Sequence, residues 1–227
     1  MIADVGSGTG ISSELFLRNG NAVFAVEPNA DMRRAAEQLL APYAGFHSVA
    51  ARAEATTLPD SSVDYVTAGQ AFHWFEPDTA RAEFARILQP AGWVVLYWNA
   101  RRLGSTPFLH DYEALLERFG TDYREVHHRN VDVGRLAALF HGELGKSFHL
   151  CKLYNEQRLD FDGLRGRLLS SSYTPPAGHP GYQPMLRELR RIFDEHAQAG
   201  SAILEYDTEI YFGRISQPNA TPGGAAR

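Results

Sequence analysis

Three groups of residues in this chain have types and spacings suited to chemistry. Residues 4–10 read Asp-Val-Gly-Ser-Gly-Thr-Gly, so an acidic side chain, Asp4, stands just ahead of Gly6, Gly8 and Gly10. Glycines at alternate positions, here enclosing Ser7, mark a turn that needs positive φ or close backbone approach. A second acid, Glu27, closes the next apolar run, Ala22–Val26, where its carboxylate can accept hydrogen bonds from both hydroxyls of a ribose. The third group is Gln70-Ala71-Phe72-His73-Trp74-Phe75, an aromatic segment that follows the apolar stretch Val63–Ala68. Imidazole can exchange protons near neutral pH, which makes His73 the candidate base. The alternative is that His73 and Trp74 only cap a loop and wall a pocket.

Positioning these residues requires alternating strands and helices. Ile2–Val5 reads as a buried strand and Ile11–Arg18 as a helix, with the glycine turn between them. A strand, a glycine turn and a helix N-terminus build a nucleotide-sized site above the carboxyl edge of a parallel sheet. The spacing G-x-G-x-G lacks the third glycine of a dinucleotide fingerprint: Ile11 or Ser13 occupies that place, depending on where the count begins. No Lys-Ser/Thr pair follows, so a P-loop is excluded. Met32, Ala35, Ala36, Leu39 and Leu40 form a helical stripe, and a third strand is expected over 46–50. Val63–Ala68 is the fourth strand, residues 76–88 a helix, and Trp93–Trp98 the fifth strand. Thr106 before Pro107 caps a helix that ends at Gly120, and a shorter helix is expected over 132–140. Further on, a strand over 147–158, helices over 161–171 and 183–199, and a strand alternating through Leu204, Tyr206, Thr208, Ile210 and Phe212 complete the pattern.

Taken in order, these motifs with Ala53-Glu54 before Leu58-Pro59 and Leu88-Gln-Pro-Ala-Gly92 after the third helical segment resemble the class I S-adenosylmethionine-dependent methyltransferases. The "AFHWF" segment is similar to that of the small-molecule branch containing trans-aconitate-type enzymes. The resemblance is specific over residues 1–99 and looser beyond. It implies an α/β, Rossmann-like seven-stranded sheet, mostly parallel with an antiparallel strand at the C-terminal end, helices on both faces and a small helical cap insertion. It further implies that Asp4 and the turn Gly6-Ser7-Gly8-Thr9-Gly10 face the methionine part of S-adenosylmethionine. Glu27 would bind the ribose, and Pro28 or Asn29 would lie near the adenine. Ala53 and Glu54 would contact the adenine ring, and Gln70 and Ala71 would pass under the sulfonium. Many relatives carry an acid just before the Ala-Glu pair, where this chain has Arg52. The adenine amino group would then rely on main-chain carbonyls or on Glu54. Phe72, Trp74 and Tyr173 are the candidate acceptor-pocket residues. An Asn/Asp-Pro-Pro-Tyr run, carried by amide- and DNA-amine-methylating relatives, is absent, which favours oxygen as the methylated atom.

With 227 residues and 44% hydrophobic content, one domain over 1–215 has material for a sizeable core, with a cap insertion at about 100–146. Residues 216–227, rich in Pro, Gly and Ala, are expected to be a disordered tail. The longest apolar stretches are far too short to span a bilayer, and the opening residues do not read as a secretory leader. A single cysteine, Cys151, cannot form an internal disulfide, and a cytoplasmic location is expected. The formal charge of −5 and the lack of a basic run argue against a nucleic-acid partner, leaving a small-molecule methyl acceptor.

Other residues carry less. His127-His128 has no H-E-x-x-H or cysteine partner, so no metal is expected. Arg187, Arg190 and Arg191 lie among Glu188, Asp194 and Glu195 and read as a salt-bridged helix face. Arg165 and Arg167 stand near Ser170-Ser-Ser-Tyr173 and are open to either surface pairing or an acidic ligand. Glu205 and Asp207 are expected to face solvent. Met1 stands inside the first central strand, ahead of which relatives carry lid helices. The expectation is a fraying first strand and weaker activity than in an upstream-extended chain. The functional reading is methyl transfer to a small, partly apolar acceptor. The alternatives are a protein that binds S-adenosylmethionine or S-adenosylhomocysteine without turnover and, third, a nicotinamide-dependent reductase.

Overall fold

The structure is a computed structural model, and it describes residues 1–123 and 132–215. Seven strands form one sheet: β1 (Ile2–Val5), β2 (Val23–Val26), β3 (Phe46–Val49), β4 (Val63–Gly69), β5 (Leu88–Arg101), β6 (Phe148–Leu159) and β7 (Ala202–Gly213). Their order is β3-β2-β1-β4-β5-β7-β6. The β1–β2, β1–β4, β2–β3 and β4–β5 pairs are parallel, and antiparallel pairing enters at the C-terminal end. The strand order reverses at β1, between β2 and β4. That places a crevice outside the carboxyl ends of these two neighbours of β1. The α-helices are α1 (Ile11–Arg18), α2 (Ala30–Leu40), α3 (Pro77–Ile87), α4 (Pro107–Phe119), α5 (Val133–Phe140), α6 (Phe161–Leu169) and α7 (Tyr182–His196). Among the described residues, no helix is long and apolar enough to cross a membrane.

Contacts divide the chain into two units. The first comprises Met1–Trp98, Asp132–Cys151 and the described part of the segment from Glu209; the second comprises the described part of Asn99–Val131 together with Lys152–Thr208. Helices α4 and α5, expected together in one insertion, belong to different units. In the first unit, β1 is buried along its whole length, and Ile2, Leu17, Val23, Ala36 and Leu40 pack together on one side of it. The first strand is tied down at its start: Met1 carbonyl accepts from Asp64 N at 2.9 Å, and the terminal ammonium meets the Asp64 carboxylate at 2.6 Å.

The second unit has its own core, in which Leu109, Leu115 and Leu116 of α4 meet Leu164 and Leu168 of α6 and Leu189 and Ile192 of α7. Its helices start where the sequence supplies acceptors. Thr106 Oγ1 accepts from Leu109 N at 3.2 Å, and Asp160 Oδ1 accepts from Gly163 N at 2.8 Å. On β7 the buried positions change parity, from Ala202, Leu204 and Tyr206 to Tyr211 and Gly213, so the expected even alternation fails beyond Thr208. Asp207 is partly exposed and paired: Arg102 donates to it from Nη2 at 2.6 Å and Nε at 3.0 Å. Arg190 and Arg191 do form the expected charged face, with Asp194 at 3.6 Å and Glu188 at 2.8 Å. The expected tail at 216–227 and the pair His127-His128 lie outside the described residues.

Gly10 combines a left-handed backbone with close packing against α2. It has φ +88, and a Cβ there would stand 2.6 Å from Leu40 Cδ1 and 3.3 Å from Ala36 Cβ. Gly20 has a similar φ of +85 with nothing within 4 Å. Gly10→Ala is therefore expected to cost about 2–4 kcal/mol, from backbone strain plus overpacking, and Gly20→Ala about 1 kcal/mol from strain alone. Urea unfolding of the two variants measures the difference; equal midpoints would contradict the packing argument.

Candidate functional site

The glycine turn leaves β1 with all three glycines left-handed: φ is +69 at Gly6, +57 at Gly8 and +88 at Gly10. Gly6 N and Ser7 N donate to the Val26 carbonyl at 2.8 and 3.2 Å, binding the turn to the end of β2. Glu27 completes that tie. Its Oε2 accepts from Gly8 N at 3.0 Å and its Oε1 from Asn29 N at 2.8 Å. Asn29 in turn caps α2, accepting from Asp31 N at 2.9 Å and Met32 N at 3.2 Å. Arg33 Nη1 donates to the carbonyls of Glu27 and Pro28, each at 2.9 Å. The β2–α2 corner is thus held by hydrogen bonds on both sides of Glu27.

Across from this corner, β4 ends at Gly69 and continues through Gln70 and Ala71 into a 3₁₀ turn, Phe72–Trp74. Both loops are made of small residues because they touch. A Cβ on Gly6 would stand 2.5 Å from Ala71 Cβ, and one on Gly69 would stand 2.5 Å from the Tyr97 ring. Gln70 adopts φ +58, a conformation unusual for a side chain larger than glycine, with its N–H on the Tyr97 carbonyl at 2.9 Å. Arg135 of α5 donates to the Phe75 carbonyl and lies 5.8 Å from the Phe72 ring centroid, bracing the loop from outside.

Between the two loops lies a cavity of ≈ 430 Å³. It is a size that accommodates small molecules, which occupy sites of roughly 300–1,000 Å³. The glycine turn contributes Gly6 and Gly8, and Gly8 faces open space. The β2–α2 corner contributes Glu27, Pro28, Asn29 and Met32. Arg52, Ala53 and Glu54 form a third side, and Gly69, Gln70, Ala71, Trp74 and Phe75 a fourth. Glu54 Oε1 also accepts from Glu76 N at 2.9 Å at the start of α3, while Arg52 Nε stands 3.8 Å from Glu54 Oε2. The walls thus offer a carboxylate, open backbone and apolar surface from Met32, Ala53 and Phe75. That combination suits an adenosine-bearing ligand: hydroxyls for the carboxylate, a flat base for the apolar surfaces.

The sequence-derived site residues do not all reach this cavity. Gly6, Gly8, Glu27, Pro28, Ala53, Glu54, Gln70, Ala71 and Trp74 line it. Asp4, Ser7 and Gly10 lie behind the turn, Asp4 with no exposure at all. Phe72 is buried, edge-on to Phe75 at 6.0 Å and to Trp98 at 6.3 Å. His73 is exposed and outside the lining, its ring 4.8 Å from that of Trp74. Tyr173 belongs to the second unit, where its ring packs on Tyr123 at 4.9 Å. Met32 and Gly69 are lining residues that the sequence did not mark as such. Met32 is 45% exposed on the first turn of α2, a place signalled by the acid–cap spacing Glu27–Asn29 rather than by its own periodicity. Among the described residues, one group, Asp111, Glu195 and His196, brings metal-ligating atoms within 4.8 Å of one another. Asp111 there is paired with His196 at 2.8 Å, and Glu195 with Arg191.

Residues 3–96 match the family described as "Methyltransferase domain". The chain is 38% identical over 109 residues to an uncharacterized methyltransferase of Mycobacterium tuberculosis, a stretch covering 45% of this chain and 42% of that protein. It is 31% identical over 118 residues to an uncharacterized methyltransferase of Schizosaccharomyces pombe, covering 52% and 45%. The matches therefore span less than half the length of these relatives. Among solved structures, a proposed type II methyltransferase of Anaeromyxobacter dehalogenans superposes with TM-score 0.66 at 24% identity, covering 96% of this chain and 90% of that one. YcgJ of Bacillus subtilis superposes with TM-score 0.57 at 18% identity, covering 96% and 92%. At such identities the superpositions speak for the fold. That fold is a Rossmann-like, mostly parallel seven-stranded sheet with helices around it. The family match covers residues 3–96, less than half of the chain.

Asp4 sets the electrostatics beneath the turn. Burial pushes its carboxyl up from 3.8 to about 6, against hydrogen bonds from Ser13 Oγ at 2.6 Å, Thr67 Oγ1 at 3.0 Å and Ser12. A folded-state value above the unfolded one means the native protein binds the extra proton between these limits. Asp4's contribution to stability is therefore greatest below its unfolded value and is lost as pH rises through about 6, by about 3 kcal/mol in all. Asp4→Asn has no such slope. The stability of that variant relative to wild type should rise by about 3 kcal/mol between about pH 4 and about pH 7, read from urea melts. A constant difference across that range would contradict the assignment.

Proposed function

We propose that the chain transfers a methyl group from S-adenosylmethionine to a small, partly apolar acceptor, at oxygen. The observation that carries this reading is Glu27: a carboxylate fixed by Gly8 N and Asn29 N on the wall of the cavity at the reversal point of the sheet. Each carboxylate oxygen can take more than one donor, so both retain capacity for the sugar hydroxyls. In this reading Pro28, Asn29 and Met32 flank the adenine on one side, and Ala53 and Glu54 on the other. The turn from Gly6 to Gly10, with Asp4 and Ser7 behind it, faces the amino-acid end, and Gln70 and Ala71 support the sulfonium end. S-adenosylmethionine, when bound, supplies an electrophilic methyl group on a positive sulfur. What the chain contributes is alignment and exclusion of water, and alignment alone is worth on the order of 7–11 kcal/mol in such steps.

The acceptor would enter past Trp74, which is 77% exposed at the cavity's edge. Phe72 would support that wall from the core side and His73 would take the acceptor proton from the rim. A carboxylate acceptor needs no base; a hydroxyl or phenol benefits from one. The position of His73 outside the lining favours a second reading, a protein that binds S-adenosylmethionine or S-adenosylhomocysteine without turnover.

Calorimetry with S-adenosylmethionine and S-adenosylhomocysteine tests the shared part of both readings. Saturable binding is expected, and Glu27→Ala should weaken it by roughly 1.5–3 kcal/mol, the worth of hydrogen bonds to a charged group. An unchanged affinity would remove Glu27 from the ribose. A coupled assay for S-adenosylhomocysteine across an acceptor panel separates the readings: product supports transfer, binding without product supports the second. In a turning-over system, His73→Gln should lower kcat on the plateau above the acid limb and abolish that limb, for hydroxyl acceptors only. A profile that keeps this limb would relieve His73 of the proton.

A further inference from the structure

Two arginines on α6 stand two residues apart, and the second unit treats them differently. Arg165 is exposed and paired with Asp162 at 3.3 Å. Arg167 is directed at phenols instead: it reaches the Tyr206 hydroxyl, lies beside Tyr112 and Tyr173, and has Ser170 Oγ 3.4 Å from its Nη1. Among the described residues no carboxylate pairs with it. The ring of Tyr112 carries a second guanidinium, since Arg101 Cζ lies 5.0 Å from its centroid. Arg101 Nη2 donates to Glu113 at 2.7 Å and to Tyr123 Oη at 2.9 Å, and Tyr123 Oη donates to Glu113 at 2.7 Å. Arg101 Nη1 is shut away from solvent with no acceptor among the described residues. One carboxylate thus serves both Arg101 and the Tyr123 phenol, and a buried guanidinium donor finds no acceptor among the described residues, an arrangement that costs stability unless something else supplies one.

We propose that this cluster is a binding site for a small oxyanion, a carboxylate or phosphate group, held between Arg167 and the unpartnered Nη1 of Arg101. The guanidinium fork matches the two oxygens of either group, and such charge-assisted bonds are stronger than neutral ones. Phenol hydroxyls of Tyr206 and Tyr173 add donors at the edge, and their rings offer apolar surface to the rest of the ligand. Arg167 is the exposed member and makes the first contact; Arg101 lies deeper, where the low polarity strengthens its attraction. All of these residues belong to the second unit, so the site is independent of the methyl-transfer reading.

Isothermal titration of the full chain, without nucleotide and at low salt, with succinate and separately with inorganic phosphate, tests it. Saturable one-to-one binding of either probe is expected, and which probe binds tells the two sources apart. Arg167→Gln should weaken it about tenfold, Arg167→Lys less, and Arg165→Gln not at all. Circular dichroism melts establish that the variants, both at exposed positions, are folded. The proposal is overturned if neither probe binds saturably, or if Arg165→Gln weakens binding as much as Arg167→Gln, which would reduce the effect to general surface charge.

Discussion

The carboxylate of Glu27 is the constraint around which the rest of the first unit is arranged. It is 7% exposed, and a buried charge of this kind is tolerated only with donors in place. Those donors are backbone N–H groups from two separate segments, Gly8 in the turn and Asn29 at the start of α2. One side chain therefore fixes the distance between the glycine turn and the second helix. The ordering is met on folding rather than on ligand binding, which is what preorganisation of a site means physically. It also explains why Gly8 keeps its left-handed φ with no side chain crowding it: the reason is the direction of its N–H, not lack of space.

The opposite wall obeys a steric rule. The glycine turn and the loop after β4 approach until Gly6 and Ala71 leave no space for another methyl group, while Gly69 lies under the ring of Tyr97. Small residues there are demanded by backbone proximity, and the larger groups stand further along the loop, at Phe72, Trp74 and Phe75. Phe75 stacks edge-on to Phe84 of α3 at 6.2 Å, so the lining aromatic is anchored in the core while Trp74 remains free of it. Arg135 closes the arrangement by occupying the Phe75 carbonyl, a group that a 3₁₀ turn leaves without a helical acceptor role.

Much of this was legible in the residues, because period and punctuation act locally. The alternation of strands and helices, the caps at Thr106 and Asp132 and the left-handed glycines all follow from short-range sterics and hydrogen bonding. What escaped was decided by tertiary context. β5 runs from Leu88 to Arg101, longer than the expected strand over Trp93–Trp98; the parallel partner β4 absorbs the irregularity with a register shift between Val63 and Tyr65. Met32 and Leu39 have the spacing of core residues yet are exposed, because α2 packs only through Ala36 and Leu40. Periodicity names a stripe but not how much of it a neighbour covers. The same limit applied at the site: His73 has suitable chemistry, but in the fold its ring packs beside that of Trp74 and His73 is not itself among the lining residues.

The two acids of the motif illustrate how local donors, not residue type, set behaviour. Glu27 is met by N–H groups, which can only donate. Asp4 is met by hydroxyls of Ser12, Ser13 and Thr67, which donate or accept according to need. Such a shell suits either protonation state of Asp4, so burial decides, and the carboxyl is pushed up to about 6. Tyr97, whose phenol is pushed up by burial and then by the Asp4 charge, has the same environment from the β5 side. A carboxyl that can be neutral at modest acidity beneath the turn can keep its hydrogen bonds while shedding its desolvation penalty. The turn above it is then held from the cavity side by a charge and from the core side by a polar cluster that adapts. That division lets the glycine backbone stay rigid where a ligand would meet it while Asp4 keeps its hydroxyl partners in either protonation state.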